Sequence, residues 1–157
     1  MDRIPITPDG YTRLKAELQN LKSVEQPRVA REIGVAREHG DLRENAEYHA
    51  AREKAGFIKG RIDHLEGLLA NAEVIDPSKL SGDKVAFGAW VKLSNSDTGD
   101  EVNYRIVGQD ESDLEKGFIS VTSPLARHLI GRRAGDEVTV RSPGGTRTFE
   151  LLEVAFR

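Results

Sequence analysis

Asp41 and Glu44 stand three residues apart in the segment Ala36-Arg37-Glu38-His39-Gly40-Asp41-Leu42-Arg43-Glu44-Asn45-Ala46-Glu47-Tyr48, and carboxylates at that spacing suit two kinds of chemistry. The first is structural. Asp-x-x-Glu ahead of an amphipathic run reads as a capping box, both side chains satisfying orphan N–H groups at a helix start for about 1 kcal/mol. The second is metal chemistry: an i, i+3 pair on one helix face can share a divalent cation, and Mg²⁺ characteristically takes one or two protein carboxylates together with substrate phosphates. Two carboxylates alone bind Mg²⁺ weakly, so they would form half of a site. The readings are compatible, because a cap uses one oxygen of each side chain and leaves others free.

The elements that must position these acids can be read on both sides of them. Thr7-Pro8 pairs an N-cap with proline at the first helical position, where its missing N–H costs nothing. Leu14, Leu18 and Leu21 then recur at the four-three spacing of a packed seam. After a phase shift near Pro27, which predicts a kink rather than an end, the apolar set resumes at Val29, Ile33 and Ala36. Gly40 suits the position past a helix C-terminus, with Asp41 capping the next helix at once across a very tight turn. From Asp41 the four-three steps pass through Glu44, Tyr48, Ala51, Ala55, Ile58, Ile62, Leu65, Leu69 and Ala72 in one stripe. Two helices, 8–38 and 42–72, each about 45 Å long at 1.5 Å per residue, make an antiparallel coiled-coil hairpin.

Asp76-Pro77-Ser78-Lys79 ends the helical region, so that residues 1–76 form one domain, 77–82 a linker and 83–157 a second domain. Here the period changes to two. Val85, Phe87, Ala89, Val91 and Leu93 predict a strand, Val102-Tyr104-Ile106 its partner, and Phe118-Ile119-Ser120-Val121 a third. Ser123-Pro124 opens a short helix that Gly131 can close, and strands 137–140 and 146–156 flank the turn Ser142-Pro143-Gly144-Gly145. A switch of apolar phase between Leu151 and Leu152 predicts a bulge. The fold class is α+β, a helical hairpin followed by a twisted antiparallel sheet with one small helix.

Composition narrows the function. The 157 residues contain no cysteine, which removes disulfides, cysteine-ligated metals and a cysteine nucleophile, and makes a reducing compartment the simpler setting. No apolar run approaches a membrane span and the N-terminus lacks a signal-peptide core, so a cytoplasmic protein without membrane contact is expected. Residues 1–77 carry twelve basic and fourteen acidic groups and the remainder eleven and twelve. Neither half has the clustered basic excess of a general nucleic-acid binder, so contact with nucleic acid would be local. Arg37, Arg43, Arg52 and Lys54 interleave with Glu38, Glu47 and Glu53, the pattern of a solvated helix face with i, i+4 pairs. Arg37 and Arg52, from opposite arms just below the turn, also suit a small basic patch facing RNA. His39 and His49 lack metal-pair spacing, no Ser-His-Asp set can be assembled, and Pro143-Gly144-Gly145 precedes no helix that would make it a phosphate loop. Trp90 faces away from Val85 and Phe87, towards a helix or a partner.

Residues 36–53 resemble the signature of the bacterial Gre transcript-cleavage factors of the GreA type. A second block, Phe118-Ile119-Ser120-Val121-Thr122-Ser123-Pro124-Leu125-Ala126-Arg127-His128-Leu129-Ile130-Gly131, with Gly135-Asp136-Glu137-Val138 and Pro143-Gly144-Gly145, extends the likeness over essentially the whole chain. The resemblance implies a C-terminal domain of FKBP-like fold that grips the rim of the secondary channel of bacterial RNA polymerase, with the hairpin inside the channel. By the same resemblance Asp41 and Glu44 are the catalytic carboxylates. They would hold a Mg²⁺ shared with the polymerase, only in that complex, and position water for attack on the backtracked 3′ segment of the nascent RNA. Arg37 and Arg52 would guide the RNA, and Gly40, Asn45 and Tyr48 would shape the tip. Such a factor is an accessory protein rather than an enzyme, and a monomer is expected. Arg43, Arg132 and Arg133 depart from relatives that often carry lysine or another residue there, which conserves charge. An inhibitory homologue occupying the same channel, a stand-alone metal-dependent nuclease and an FKBP-like isomerase are the competing expectations.

Overall fold

The structure is a computed structural model that describes residues 3–41 and 43–157. Leu42, the expected first residue of the second arm, and Met1 and Asp2 lie outside the described residues. The chain divides into two compact units, one built from residues 11–72 and the other from 3–10 together with 73–157.

In the first unit, α1 (Pro8–Asn20) passes through a π-helical turn, Leu21–Glu25, into α2 (Gln26–Arg37). The π turn answers the proline and the phase shift together. Pro27 has no N–H to donate and its ring crowds the carbonyl four residues back, and a wider turn relieves both. The turn also takes up one surplus residue, which is why Leu18 before it and Leu21 at its start pack in the same cluster as Val29 and Ile33 after it, against Ala55, Ile58 and Ile62. Those partners come from α3 (Ala46–Ala70). Contacts between the arms descend in order, as an antiparallel hairpin requires. Asn45 meets Ala36 near the turn, Lys54 pairs with Glu32 at 3.7 Å, and Arg61 grips Glu17 through two bonds of 3.1 and 2.9 Å.

In the second unit, β1 (Ile4–Ile6) pairs with β2 (Ala72–Val74), a small sheet the apolar pattern does not announce. Thr7 caps α1 as expected, its Oγ1 accepting from the Gly10 N–H at 3.1 Å. The same hydroxyl donates to Oε1 of Glu111. Oε2 of Glu111 accepts from the Thr7 N–H at 3.1 Å and the Gly108 N–H at 2.7 Å, which explains how a carboxylate only 4% exposed is tolerated. Burial pushes the Asp9 carboxyl up, but hydrogen bonds from Arg105 and Thr7 and the Arg105 charge outweigh it and hold the group below the usual carboxylate range.

The main sheet has the order β5-β4-β3-β7-β6, from β3 (Trp90–Asn95), β4 (Glu101–Val107), β5 (Phe118–Ser120), β6 (Glu137–Ser142) and β7 (Gly145–Ala155), with α4 (Pro124–Leu129) packed on it. Val85, Ala89, Val91, Leu93, Ile106, Ile119, Ala126, Leu129, Val138, Val140 and Leu151 form its core. Two details differ from the sequence reading. The strand expected from Val85 starts only at Trp90, because the chain turns at Gly88, where φ is +86° and a Cβ would lie 2.7 Å from Cγ of Pro77. Val85 and Ala89 are buried in the core without belonging to β3. The sheet is antiparallel except at one edge, where β5 runs parallel to β4. The expected bulge is present: Leu93 pairs with Leu151 and Lys92 with Glu153, leaving Leu152 as the extra residue. Trp90 is half-buried. Its ring stands edge-on to Phe118 at 6.1 Å, and the Arg157 guanidinium lies 5.5 Å from its centroid.

Candidate functional site

The turn between the arms is longer than the sequence suggests, and it redistributes the capping roles. α2 ends at Arg37, and Glu38 and His39 close it through bonds to the carbonyls of Val35 and Ala36, both 3.1 Å. Gly40 follows with φ +112°, the positive value that favours glycine. The next helix starts at Ala46, and its N-cap is Asn45, whose Oδ1 accepts from the Tyr48 N–H at 3.0 Å. The capping box expected from Asp41 and Glu44 is therefore not formed. Asparagine wins because its amide also donates: Nδ2 of Asn45 reaches the carbonyl of Ala36 at 2.6 Å, tying the end of one arm to the start of the other. An aspartate has no proton for that second bond.

Asp41 instead closes a local turn, its Oδ1 accepting from the Arg43 N–H at 2.9 Å. Asp41 and Glu44 are exposed and precede the helix, so they do not continue the helical seam, which starts at Tyr48. Both acids line one shallow concavity with His39, Asn45, Ala46 and Glu47. Glu47 escaped the sequence reading as a member of this set. Its place in the first turn of α3 becomes legible only once Asn45 is recognised as the cap. His49 does not line the concavity; its Nε2–H donates to the Arg43 carbonyl at 3.0 Å.

Arg37 and Arg52 are brought together by a tyrosine. Tyr48 is 7% exposed, and each guanidinium carbon lies 5.8 Å from its ring centroid. Hydrogen bonding from Arg37, with Arg52 adding to it, outweighs desolvation and holds the Tyr48 hydroxyl below the usual tyrosine range. Among the described residues neither arginine forms an ion pair with a carboxylate, although Glu38, Glu47 and Glu53 are close in sequence.

The donor set at the turn fits a hard cation in part. Asp41 and Glu44 offer carboxylate oxygens that no cap consumes, the ligand type Mg²⁺ prefers. Among the described residues no group of three or more acidic, histidine or cysteine side chains is gathered to hold a metal unaided.

Residues 4–74 match the family described as "Transcription elongation factor, N-terminal", and residues 80–156 match "Transcription elongation factor, GreA/GreB, C-term". The chain belongs to the GreA/GreB family of transcription elongation factors. Among its relatives, the transcription elongation factor GreA of Anaeromyxobacter sp. (strain K) is 58% identical over 156 residues, covering 99% of this chain and 94% of that protein. GreA of Hyphomonas neptunium is 55% identical over 157 residues, covering 100% of both. Among solved structures, GreA factor homolog 1 (Gfh1) of Thermus thermophilus is 25% identical, with a TM-score of 0.45 over 98% of this chain and 99% of that one. Among the described residues of this GreA/GreB-family chain, no helix is long and apolar enough to cross a membrane.

Proposed function

We propose that this chain acts in the cytoplasm as an accessory factor of bacterial RNA polymerase, carrying its hairpin tip through the secondary channel to a backtracked nascent RNA and stimulating its cleavage. The observation that carries this reading is the division of labour at the tip. Asn45 caps the helix, and so Asp41 and Glu44 stand exposed beside one concavity with oxygens to spare. These two carboxylates would hold one Mg²⁺, which when bound neutralises phosphate charge and makes a coordinated water more nucleophilic. Asp41 and Glu44 would also accept hydrogen bonds from the attacking water and orient it towards the phosphodiester. Arg37 and Arg52 would hold the RNA strand by its phosphates. The C-terminal unit would grip the rim of the channel.

A backtracked elongation complex with end-labelled RNA tests this. The full chain should release a short 3′ fragment faster than polymerase alone, and Asp41→Ala or Glu44→Ala should abolish the gain. Cleavage of naked RNA by the chain with Mg²⁺ alone would overturn the accessory role in favour of a nuclease, and slowed cleavage would identify an inhibitor.

A further inference from the structure

We propose that Tyr48 is the positioning residue of a phosphate clamp, its ring holding Arg37 and Arg52 so that their N–H edges remain open to the RNA backbone. The proposal rests on the RNA-cleavage reading above and assigns that site an organising group. Two guanidinium groups placed near each other repel, and long side chains lose rotamer freedom when fixed. Something must offset both costs. In most surface clusters a carboxylate does so, and it consumes the N–H fork in the process.

Here the carboxylates are present in sequence and are not used. Arg37 ends α2 and Arg52 lies one turn beyond Tyr48 on α3, so each arm of the hairpin supplies one cation. Both sit at the same 5.8 Å from the ring centroid, no further apart than twice that distance. An aromatic face attracts a cation without engaging its N–H groups. Arg37 most, and Arg52 after it, hold the Tyr48 hydroxyl below the usual tyrosine range, as cations beside a phenol do. Arginine has five N–H donors, and contact with the ring leaves them available. The ring itself is fixed. Tyr48 is buried at the turn end of the hairpin, where Ala36 and Ala51 are also buried, and its backbone N–H is the group that the Asn45 cap binds. The clamp therefore inherits the rigidity of the cap, with both guanidinium groups held by the ring.

The experiment uses the full chain with a backtracked complex, reading the cleavage rate at saturating factor and, separately, the half-saturating concentration. Tyr48→Leu should lower the saturated rate about tenfold, the size of a partly desolvated cation–π contact. Tyr48→Phe should fall between wild type and Tyr48→Leu. In an Arg37→Ala/Arg52→Ala background Tyr48→Leu should cost nothing further, because a residue that works through its neighbours has no effect once they are gone. An equal loss in both backgrounds would show that Tyr48 only supports the fold and would overturn the proposal, as would an unchanged rate in Tyr48→Leu. Side-chain Nε–H resonances of Arg37 and Arg52 in the free chain give a second readout, independent of polymerase. They should be dispersed in wild type and Tyr48→Phe and averaged in Tyr48→Leu. If wild type fails to stimulate cleavage while these resonances behave as stated, the RNA-cleavage reading falls and the positioning of the arginines stands. Averaged resonances in wild type overturn the positioning itself.

Discussion

Glu111 and the pair Asp41 and Glu44 are carboxylates in opposite circumstances. Glu111 is almost fully buried and each of its oxygens is occupied, by the Thr7 hydroxyl on one side and by the N–H groups of Thr7 and Gly108 on the other. Asp41 is exposed and makes one short-range bond through Oδ1. The contrast separates an acid that holds structure from an acid that can be lent out. What distinguishes them is the number of lone pairs left over, not the residue type or the charge.

The largest effect is expected at the occupied end. Glu111→Leu removes the acceptor for three donors in a dry site and should destabilise the C-terminal unit by about 3 kcal/mol, measured by denaturant unfolding. Glu111→Gln sharpens the point. Its carbonyl can still receive the two N–H groups and its amide can face Thr7, so its cost should be about 1 kcal/mol. Next comes Asn45→Asp, which keeps the cap and loses the donor to Ala36. A loss of about 1 kcal/mol is expected in thermal unfolding, because one neutral hydrogen bond is removed and a carboxylate now faces a carbonyl. Smallest is Asp41→Ser, which should change stability by less than about 0.5 kcal/mol while removing cleavage stimulation. In the cleavage assay the order reverses. If Asp41→Ser destabilised as Glu111→Leu does, the contrast between the two kinds of acid would collapse.

Acid should weaken the occupied region through another group. The folded carboxyl of Asp9 lies below its ordinary value, so its contribution is fully present above the unfolded value and is lost as pH falls through the folded one. Unfolding midpoints followed down through the carboxylate range should drop less steeply in Asp9→Asn than in wild type. The effect is modest, since the Asp9 side chain is 63% exposed.

These same sites show where sequence was informative. The arms of the hairpin were legible because Val29, Ala36, Tyr48, Ala51, Ile58, Ile62 and Leu65 recur with helical period and are buried. The cap is expected at Asp41 and found at Asn45 because the two are equally good N-caps in isolation, and the deciding bond runs from Asn45 to a carbonyl on the other arm. Thr7 was readable as a cap, but its link to Glu111 joins residues 104 positions apart, beyond any local pattern. Periodicity reports which face is buried and is blind to strand direction, so the bulge at Leu152 was visible and the parallel pairing of β5 was not. Asp41, Glu44, Arg37 and Arg52 could be singled out by type and spacing. Their organiser, Tyr48, belongs by pattern to the apolar stripe, and nothing in one dimension says that it faces two cations.

The π-helical turn at Leu21–Glu25 gives the first arm an expansion joint. In an α-helix, deleting one residue swings everything beyond it by about 100° around the axis. Deleted from α2, a residue would carry Arg37 away from the Tyr48 ring. With Pro27 replaced by alanine, the surplus residue within Leu21–Glu25 can be removed and the turn tightened to an ordinary α turn, with the far end of the arm keeping its azimuth. The chain can thus lose one residue there with the length and the aim of the arm nearly unchanged.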